Sequence, residues 1–374
     1  METDYTTTMF RAAIAAMAPY VPGEQPKPGQ RLIKLNTNEN PYPPSPRVRR
    51  AILRAATGAN LRLYPSPRAD EFIASAARLY RLPPRMILAG NGSDELLAML
   101  FRATLGRGDK VAYPAPTYSL YDTLAAIQEA RVISPLFPRD FALPFDQLAR
   151  AGAKLTIVCN PNSPSGTLTP IEMLDALARR LEPHLLVIDE AYVDFADDSA
   201  LRLVKQRPNI VVMRSLSKSF SLAGMRLGLC LARPPVIETL AKVKDSYNLN
   251  RLALAAGAAA VEDAAWMRRN VERVRRVRAT TERTLLTLGF EVLPSSANFV
   301  LARLPGRDLA SFATALRQRG ILVRHFPTAA LRDALRISIG TLAEMRALFK
   351  ALAHVLVSQA RRSYTHLPKS IRVD

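Results

Sequence analysis

Seven short apolar runs, separated by longer amphipathic segments, constrain the fold of this 374-residue chain more than any other feature. The runs are uninterrupted, whereas segments such as residues 170–181 place apolar residues at helical spacing. Apolar strands separated by helices are typical of a mainly parallel sheet that is buried on both faces, in an α/β fold. We predict strands at Met86–Leu88, Lys110–Tyr113, Arg131–Ile133, Leu155–Cys159, Leu185–Asp189, Ile210–Met213 and Leu227–Leu231.

Polar motifs lie at the ends of five of these predicted strands. In open sheets of this kind, ligands bind beyond the carboxyl ends of the strands. The sequence therefore predicts one site at one edge of the sheet. The motifs are Gly90–Glu95, Pro116–Tyr118, Asn160–Gly166, Asp189–Tyr192 and Arg214–Gly228.

The pattern changes after about residue 270. Helical patterns there alternate with short strand-like runs, which is typical of a smaller α+β domain. Residues 18–47 are rich in Pro and Gly and predict an extended arm. We expect an N-terminal arm with part of a small domain over residues 1–48, a large domain over 49–275, a C-terminal small domain over 276–360 and a basic tail over 361–374.

The formal net charge is 52 − 32 = +20. A charge of this size occurs in proteins that bind nucleic acids, anionic surfaces or phosphorylated ligands. Here the arginines are scattered beside apolar positions at helical spacing, as in residues 268–278, and no C2H2, RRM or basic-zipper pattern is present. This distribution favours a solvated surface over a nucleic-acid interface.

The cysteines and the N-terminus both indicate the cytoplasm. Cys159 and Cys230 lie in apolar runs, so we expect two buried, unpaired thiols, which are typical of a reducing compartment. Residues 1–4 are acidic where a signal peptide would be basic. The longest apolar run, residues 252–261, is too short to span a bilayer, so we expect no membrane segment.

Lys218 is the first candidate for chemistry. A deprotonated lysine amine forms a Schiff base with a carbonyl when it is well positioned. The nearby Ser215, Ser217 and Arg226 are residue types that bind phosphate. Pyridoxal 5'-phosphate (PLP) carries both a carbonyl and a phosphate. A lone Ser-x-Lys is more often a solvated loop, so this hypothesis depends on the other motifs.

Asp189 ends an apolar strand, where a carboxylate is costly unless it has a cationic partner. A pyridinium nitrogen is such a partner, and the pair would keep the ring protonated as an electron sink. Tyr192, three residues later, is able to donate to the phenolic oxygen of the same ring. Taken alone, Asp189 is more readily interpreted as a helix-capping residue, and the presence of Tyr192 reverses that preference.

Two further motifs fit a phosphorylated aromatic cofactor. Gly92, Ser93 and Asp94 directly precede an apolar helix, whose N-terminus offers backbone N–H groups to a phosphate. An ordinary helix cap by Ser93 would use the same geometry. Tyr118 offers an aromatic face to a pyridine ring, or else packs in the core.

Two arginines lie in or beside apolar strand-like runs near the C-terminus. Arg336 lies inside residues 335–340, and Arg324 follows residues 321–323. A buried arginine needs an anion. The anion is either a substrate carboxylate or phosphate, or the carboxylate of a structural salt bridge.

In their order along the chain, these motifs resemble those of the fold type I, aspartate aminotransferase-like PLP enzymes. The order is Gly-Ser-Asp, the stacking Tyr, Asn-Pro-x-x-Pro-Ser-Gly, Asp-x-x-Tyr, Ser-x-Ser-Lys and an Arg eight residues after the Lys. Within that group the chain is most similar to the histidinol-phosphate aminotransferases, through residues 34–42, 62–65, 90–95, 187–192 and 246–250. The resemblance runs from about residue 20 to 357 and implies a seven-stranded, mainly parallel sheet with a smaller α+β domain.

The resemblance implies a ping-pong transamination with PLP, in which histidinol phosphate and 2-oxoglutarate exchange with imidazole-acetol phosphate and glutamate. It implies that Lys218 binds PLP covalently and moves a proton, that Asp189 pairs with the ring nitrogen, that Tyr118 stacks on the ring and that Tyr192 contacts the phenolic oxygen. It assigns the phosphate to Gly92, Ser93, Asp94, Ser215, Ser217 and Arg226, together with Tyr64 from the neighbouring subunit of a homodimer. It assigns the substrate to Tyr20, Asn36, Arg324 and Arg336.

One position departs from the family pattern. The family often has Asn directly before the second Pro of the Asn160–Gly166 loop, whereas this chain has Ser163, preceded by Asn162. Either of these residues contacts the phenolic oxygen, or Tyr192 does so alone.

An aromatic amino acid aminotransferase and a PLP-dependent phospho-amino acid decarboxylase would keep Lys218 and Asp189, and both stay alternatives.

Overall fold

The fold is built from two β-sheets and the helices that flank them. The computed structural model describes residues 9–18 and 23–365, with side chains up to residue 358. All seven strands predicted for the main sheet form within this part of the chain. The strands of both sheets, in chain order, are β1 Ile33–Leu35, β2 Ile87–Asn91, β3 Lys110–Ala112, β4 Arg131–Ile133, β5 Leu155–Cys159, β6 Leu185–Asp189, β7 Ile210–Ser215, β8 Leu227–Ala232, β9 Glu291–Val292, β10 Phe299–Arg303, β11 Ile321–His325 and β12 Ala334–Ser338.

The helices begin at recognisable local signals. Ser45 caps one by accepting a hydrogen bond from the Arg47 backbone N–H, and Pro46 occupies the first helical position, where no N–H is needed. The helices of the described residues are α1 Ala12–Ala15, α2 Pro46–Ala55, α3 Gly58–Leu61, α4 Asp70–Tyr80, α5 Gly92–Thr104, α6 Leu120–Ile127, α7 Phe145–Ala149, α8 Ile171–Leu181, α9 Leu203–Gln206, α10 Pro234–Ala241, α11 Arg251–Glu262, α12 Ala264–Thr287, α13 Ala310–Gln318 and α14 Leu342–Thr365.

The seven-stranded sheet has the order β2-β8-β7-β6-β5-β3-β4. Strands β7, β6, β5, β3 and β4 are parallel, whereas β8 is antiparallel to both of its neighbours. The predicted α/β fold with a mainly parallel sheet is therefore confirmed. Because β8 is reversed, its first residues lie at the edge where β2 and β7 end, with Leu227 opposite Asn91 and Gly228 opposite Ser215.

The centre of this sheet is buried on both faces. Ile157 and Val187 belong to one core cluster, and their sequence neighbours Val158 and Ile188 belong to the other. Successive side chains of a strand point to opposite faces, so both must be apolar where helices cover both faces. Cys159 and Cys230 are buried and free, as the sequence predicted.

The five-stranded sheet has the order β1-β11-β12-β10-β9. Strand β1, from the segment predicted as an extended arm, pairs in parallel with β11. Strands β11 and β12 are antiparallel, with Arg324 directly opposite Arg336. The N-terminal segment is thus tied to C-terminal strands, although the domain boundaries given above stay predictions. No helix of the described residues is long and apolar enough to cross a membrane.

Candidate active site

Lys218 lies in the loop after β7, at the edge where the parallel strands end. Its Nζ donates to the Thr37 carbonyl oxygen at 3.2 Å and lies 5.9 Å from the centre of the Tyr192 ring. Burial, together with the charge of Arg336, lowers the pKa of Lys218 to about 8, against the opposing charges of Glu39 and Asp94. A larger fraction of this amine is therefore neutral, and so nucleophilic, than of an ordinary lysine near neutral pH.

The N-terminal segment holds the Lys218 loop in place. Asn40 Nδ2 donates to the carbonyl oxygens of Lys218 at 3.0 Å and Ser219 at 3.2 Å. Asn38 has a left-handed backbone with φ 57°, a conformation that asparagine tolerates, and its Nδ2 donates to the Tyr192 hydroxyl at 3.2 Å. Sequence reasoning did not assign roles to Asn38 and Asn40, and the repeated Asn at residues 36, 38 and 40 was the available signal.

Asp189 is a buried carboxylate that receives hydrogen bonds from neutral groups. It is 3% exposed, and it accepts from the Tyr121 hydroxyl at 2.7 Å and from the Ala191 backbone N–H at 3.2 Å. Within the described chain it forms no ion pair. Burial raises the pKa of Asp189 to about 6, and these two hydrogen bonds oppose the rise. A buried carboxylate with neutral donors fits a cationic partner such as a pyridinium nitrogen.

Tyr192 and Ser163 lie on the Arg336 side of the site. Burial raises the pKa of Tyr192, and the charge of Arg336 lowers it. Ser163 Oγ accepts from Arg336 Nη1 at 3.1 Å. Asn162 joins two loops, since its Oδ1 accepts from Thr117 Oγ1 at 2.9 Å and its Nδ2 donates to Ser165 Oγ at 3.0 Å. Contacts of Tyr192, Ser163 and Asn162 with a phenolic oxygen stay predictions.

Two glycines allow the groups predicted to bind phosphate to approach one another. Gly92 has φ +79°, and a Cβ at this position would lie 2.5 Å from Arg226 Nη2. A Cβ on Gly228 would lie 2.5 Å from the backbone nitrogen of Ser93. Any side chain at either position would push Arg226 or the N-terminus of α5 away. The glycines therefore leave room for a guanidinium and a helix N-terminus at one place, which fits an anion.

The polar side chains around Arg226 complete this cradle. Arg226 Nη2 donates to Asp94 Oδ2 at 2.8 Å, and Nη1 lies 3.5 Å from Ser217 Oγ. Ser215 Oγ accepts from the Ser217 backbone N–H at 3.3 Å. Helix α5 begins at Gly92 with Asn91 as its N-cap, so Ser93 lies in the first turn and not at the cap. The Asp94 carboxylate is engaged with Arg226, which leaves its backbone N–H as the group suited to a phosphate.

Tyr118 and Tyr64 lie in different surroundings. Tyr118 is half-buried, its hydroxyl donates to Asp94 Oδ1 at 3.2 Å, and its ring lies edge-on to that of Tyr121. Tyr64 is 77% exposed and stacks on Tyr247 at 4.4 Å between ring centres. Their roles toward a PLP ring and toward a neighbouring subunit's phosphate stay predictions. Tyr20 lies outside the described residues.

Arg324 and Arg336 form the candidate substrate site. They face each other across β11 and β12, and both guanidinium carbons lie over the Phe326 ring, at 5.6 and 5.5 Å. Like charges placed opposite each other in a sheet are unfavourable. Within the described chain, Arg324 makes no ion pair. An anion bound by both guanidinium groups would relieve the repulsion between them.

Asn36 borders the same site. Arg336 Nη2 donates to the Asn36 carbonyl oxygen at 3.0 Å, and Asn36 Nδ2 donates to the Glu24 carbonyl oxygen at 2.9 Å. Asn36 is 3% exposed, and its Oδ1 has no hydrogen-bond partner within the described part of the protein. A buried acceptor of this kind is costly unless a ligand or water donates to it. Asn36 Oδ1 is therefore suited to a substrate donor.

The residues present fit PLP. Asp189 offers an anion that no cation of the described residues neutralises, Lys218 offers an amine whose pKa is lowered, and the glycines leave Arg226 and the N-terminus of α5 close together. These features match, in order, the ring nitrogen, the carbonyl and the phosphate of that cofactor. No group of three or more His, Cys, Asp or Glu within the described residues is arranged to hold a metal ion.

Comparisons with known proteins agree with this geometry. The family model described as aminotransferase class I and II matches residues 30–352. The chain is 47% identical to the histidinol-phosphate aminotransferase of Syntrophotalea carbinolica over 346 residues, covering 92% of this chain and 99% of that protein. It is equally identical to the enzyme of that name from Geobacter sulfurreducens, with the same coverage.

Solved structures show the same fold. The crystal structure of histidinol-phosphate aminotransferase from Sinorhizobium meliloti, in complex with pyridoxal-5'-phosphate, superposes with a TM-score of 0.85. The two chains are 29% identical, and the match covers 94% of this chain and 98% of that one. Aspartate aminotransferase from Thermus thermophilus has a TM-score of 0.76 at 24% identity, over 87% of this chain and 92% of that one, which supports the fold alone.

Proposed function

We propose that this protein, which belongs to the class I and II aminotransferase family, transfers an amino group between histidinol phosphate and 2-oxoglutarate with PLP as its cofactor. The products are imidazole-acetol phosphate and glutamate, and the reaction belongs to histidine biosynthesis. The names of the relatives support histidinol phosphate as a substrate. The two alternatives from the sequence, an aromatic aminotransferase and a phospho-amino acid decarboxylase, are not favoured by these relatives.

The observation that carries the proposal is the combination of Asp189 and Lys218. Asp189 is buried with neutral hydrogen-bond donors, and Lys218 has an amine whose pKa lies near 8. PLP, when bound, supplies an electron sink for the charge that develops at the substrate Cα, provided its ring nitrogen stays protonated. Asp189 keeps that nitrogen protonated by placing an anion beside it.

Lys218 has two tasks in this reaction. Its Nζ would hold the cofactor covalently, and the free amine would take the proton that leaves the substrate Cα. Thr37, which accepts from Nζ, orients the amine, and Asn40 fixes the backbone that carries it. An amine with a pKa near 8 exchanges protons readily at physiological pH.

The cofactor is held at its other end by the phosphate cradle. Arg226 provides a charge-assisted bond, Ser215 and Ser217 provide hydroxyls, and the first turn of α5 provides backbone N–H groups. These are the groups of the same subunit to which the resemblance assigns the phosphate, and Gly92 and Gly228 provide the space for them. The cofactor ring would therefore lie between Asp189 and the phosphate cradle.

The substrates are recognised by Arg324 and Arg336. Both lie over Phe326 and face each other, so a phosphate ester or a carboxylate is attracted to the space between them. The substrate of one half-reaction carries a phosphate and that of the other carries carboxylates, and two arginines on adjacent strands are able to accept either. Asn36 Oδ1 is placed to accept a hydrogen bond from the substrate.

We also propose a homodimer in the cytoplasm. Tyr64, Leu61 and Leu63 are all more than half exposed, and exposed apolar residues clustered in this way are typical of an interface. This surface supports the assignment of Tyr64 to the phosphate bound in a neighbouring subunit. The free, buried Cys159 and Cys230 support a reducing compartment.

Amino transfer from histidinol phosphate, phenylalanine and tyrosine to 2-oxoglutarate tests the proposal, alongside carbon dioxide release from threonine phosphate. We expect histidinol phosphate to have the highest kcat/KM. Lys218→Ala is expected to abolish turnover and the visible absorbance of bound PLP, whereas Lys242→Ala, at an exposed position, is expected to leave both unchanged. A higher kcat/KM for phenylalanine would favour the aromatic aminotransferase, and carbon dioxide release would favour the decarboxylase. An active Lys218→Ala protein would overturn the PLP chemistry.

A further inference from the structure

Tyr121 is a fully buried residue to which neither the sequence motifs nor the reaction assigned a role. It is 0% exposed and lies at the start of α6, three residues after Tyr118. Its hydroxyl donates to Asp189 Oδ2 at 2.7 Å, the shorter of the two hydrogen bonds made to that carboxylate. We propose that Tyr121 is a positioning residue that keeps Asp189 ionised and aimed at the ring nitrogen of PLP, an inference that rests on the proposed function.

The reason lies in the kind of donor that Tyr121 provides. A carboxylate in an apolar interior is stabilised either by a cation or by hydrogen bonds. A lysine or arginine at this place would neutralise Asp189 and compete with the pyridinium nitrogen. A tyrosine hydroxyl stabilises the carboxylate and leaves its full negative charge for the cofactor.

The groups around Asp189 leave Tyr121 as the side chain that supports the charge. Cys159 lies opposite Asp189 on β5, and burial raises the pKa of its thiol, so the thiol stays neutral. Asp94, on α5, and Tyr192, in the loop after β6, also act on Asp189, and the charge of Asp94 disfavours its ionisation. Burial raises the pKa of Tyr121 well above its ordinary value, so Tyr121 remains a donor across the working pH range.

Tyr113 is a matched control within the same cluster. It is 2% exposed, and its ring centre lies 5.5 Å from that of Tyr121. Its hydroxyl also donates to a carboxylate, Asp122 Oδ1, at 2.6 Å. Tyr113→Phe and Tyr121→Phe therefore delete the same group from the same layer, and they differ in which carboxylate loses its donor.

The experiment measures the dissociation constant of PLP as a function of pH, by fluorescence titration of the PLP-free protein. Wild-type protein is expected to lose affinity on acidification, because a protonated Asp189 no longer pairs with the ring nitrogen. Loss of one hydrogen bond to a charged group raises the pH of that transition by about one unit, so Tyr121→Phe is expected to show this shift. Tyr113→Phe is expected to follow the wild-type curve.

Two further variants separate positioning from packing. Tyr121→Met, which also lacks a donor, is expected to show the same shift as Tyr121→Phe. In the Asp189→Asn background, Tyr121→Phe is expected to cause no further change, because there is no carboxylate left to stabilise. Thermal melting of the PLP-free proteins reports whether each variant is folded.

Several outcomes would overturn the inference. These are a folded Tyr121→Phe protein with the wild-type transition, an equal shift in Tyr113→Phe, or a Tyr121→Phe effect that persists in the Asp189→Asn background. Failure of the proposed function is a different result, in which the wild-type protein itself does not bind PLP.

Discussion

Asp189 and Glu190 are adjacent in sequence, yet their carboxylates lie in opposite electrostatic surroundings. Both are buried, at 3% and 1% exposure. Asp189 receives neutral donors from Tyr121 and Ala191, whereas Glu190 lies 3.1 Å from Arg214 Nε in an ion pair. Asp189 ends β6 and Glu190 follows it, and successive side chains of an extended chain point to opposite faces. The two carboxylates therefore meet different neighbouring residues. One carboxylate is neutralised by an arginine, and the other forms no ion pair with any of the described residues.

The Glu190 side is a structural cluster. Arg214 bridges Glu190 and Asp194, and the charges of these two residues raise the pKa of Arg214 although burial alone would lower it. Asp194 Oδ2 also accepts from the Ser219 hydroxyl, next to Lys218. The Glu190 cluster therefore anchors the lysine loop, while the neighbouring Asp189 side is the proposed site of the chemistry.

The largest expected effect is on the structural side. Glu190→Ala leaves Arg214 buried with one carboxylate fewer, and breaking a buried pair in this way costs about 3–5 kcal/mol. We expect denaturant titration to show a loss of this size in the unfolding free energy, with kcat of the folded protein nearly unchanged. Glu238→Ala, at an exposed position, is the control and should change neither quantity. A selective loss of kcat would contradict a structural role for Glu190.

The next effect is on the chemical side. Asp189→Asn removes the anion that is proposed to keep the ring nitrogen protonated, and we expect kcat/KM for amino transfer to fall by about 100-fold, the usual cost of losing a preorganised electrostatic contact. The melting temperature of the PLP-free protein should not fall. Glu190→Gln provides the comparison, since it should lower stability more than activity. Equal losses of activity in the two variants would remove the distinction between the two sides.

The third effect is a pH dependence of stability in the PLP-free protein. Because burial raises the pKa of Asp189 from 3.8 to about 6, the folded state binds a proton that the unfolded state has lost, and stability falls as pH rises through this window. Asp189→Asn should remove that loss and gain up to about 3 kcal/mol above pH 6, with little gain below pH 4. Saturating PLP should reverse the sign above pH 6. A gain that does not depend on pH would indicate packing instead of charge.

The strand ends were the part of the site that the sequence could predict. Lys218, Asp189 and Arg226 could be recognised because each is a charged residue close to an apolar run. The carboxyl ends of parallel strands meet at a common edge, which places these residues together. Tyr121 could not be recognised in the same way, because a tyrosine on the buried side of a helix looks like any core residue. The glycines at 92 and 228 were visible as residues, but the close approaches that require them depend on the reversed direction of β8.

The N-terminal segment shows the same limit. Its Pro- and Gly-rich composition predicted an extended arm, and β1 indeed forms within it. Nothing local indicates that Asn38 and Asn40 contact Tyr192 and the Lys218 loop, since these contacts join residues that are more than 150 positions apart. Such pairing depends on how the chain returns to the sheet edge.

The sequence by itself determined the α/β architecture, the order of the motifs and the family, because apolar periodicity and strand-end residues are local properties of the chain. Tertiary structure alone decided which charges are neutralised. Asp189 and Glu190 are indistinguishable as neighbouring acids in a sequence, and only packing places Arg214 beside one and Tyr121 beside the other. Burial then makes that difference large, since a carboxylate removed from water depends on the few groups that touch it.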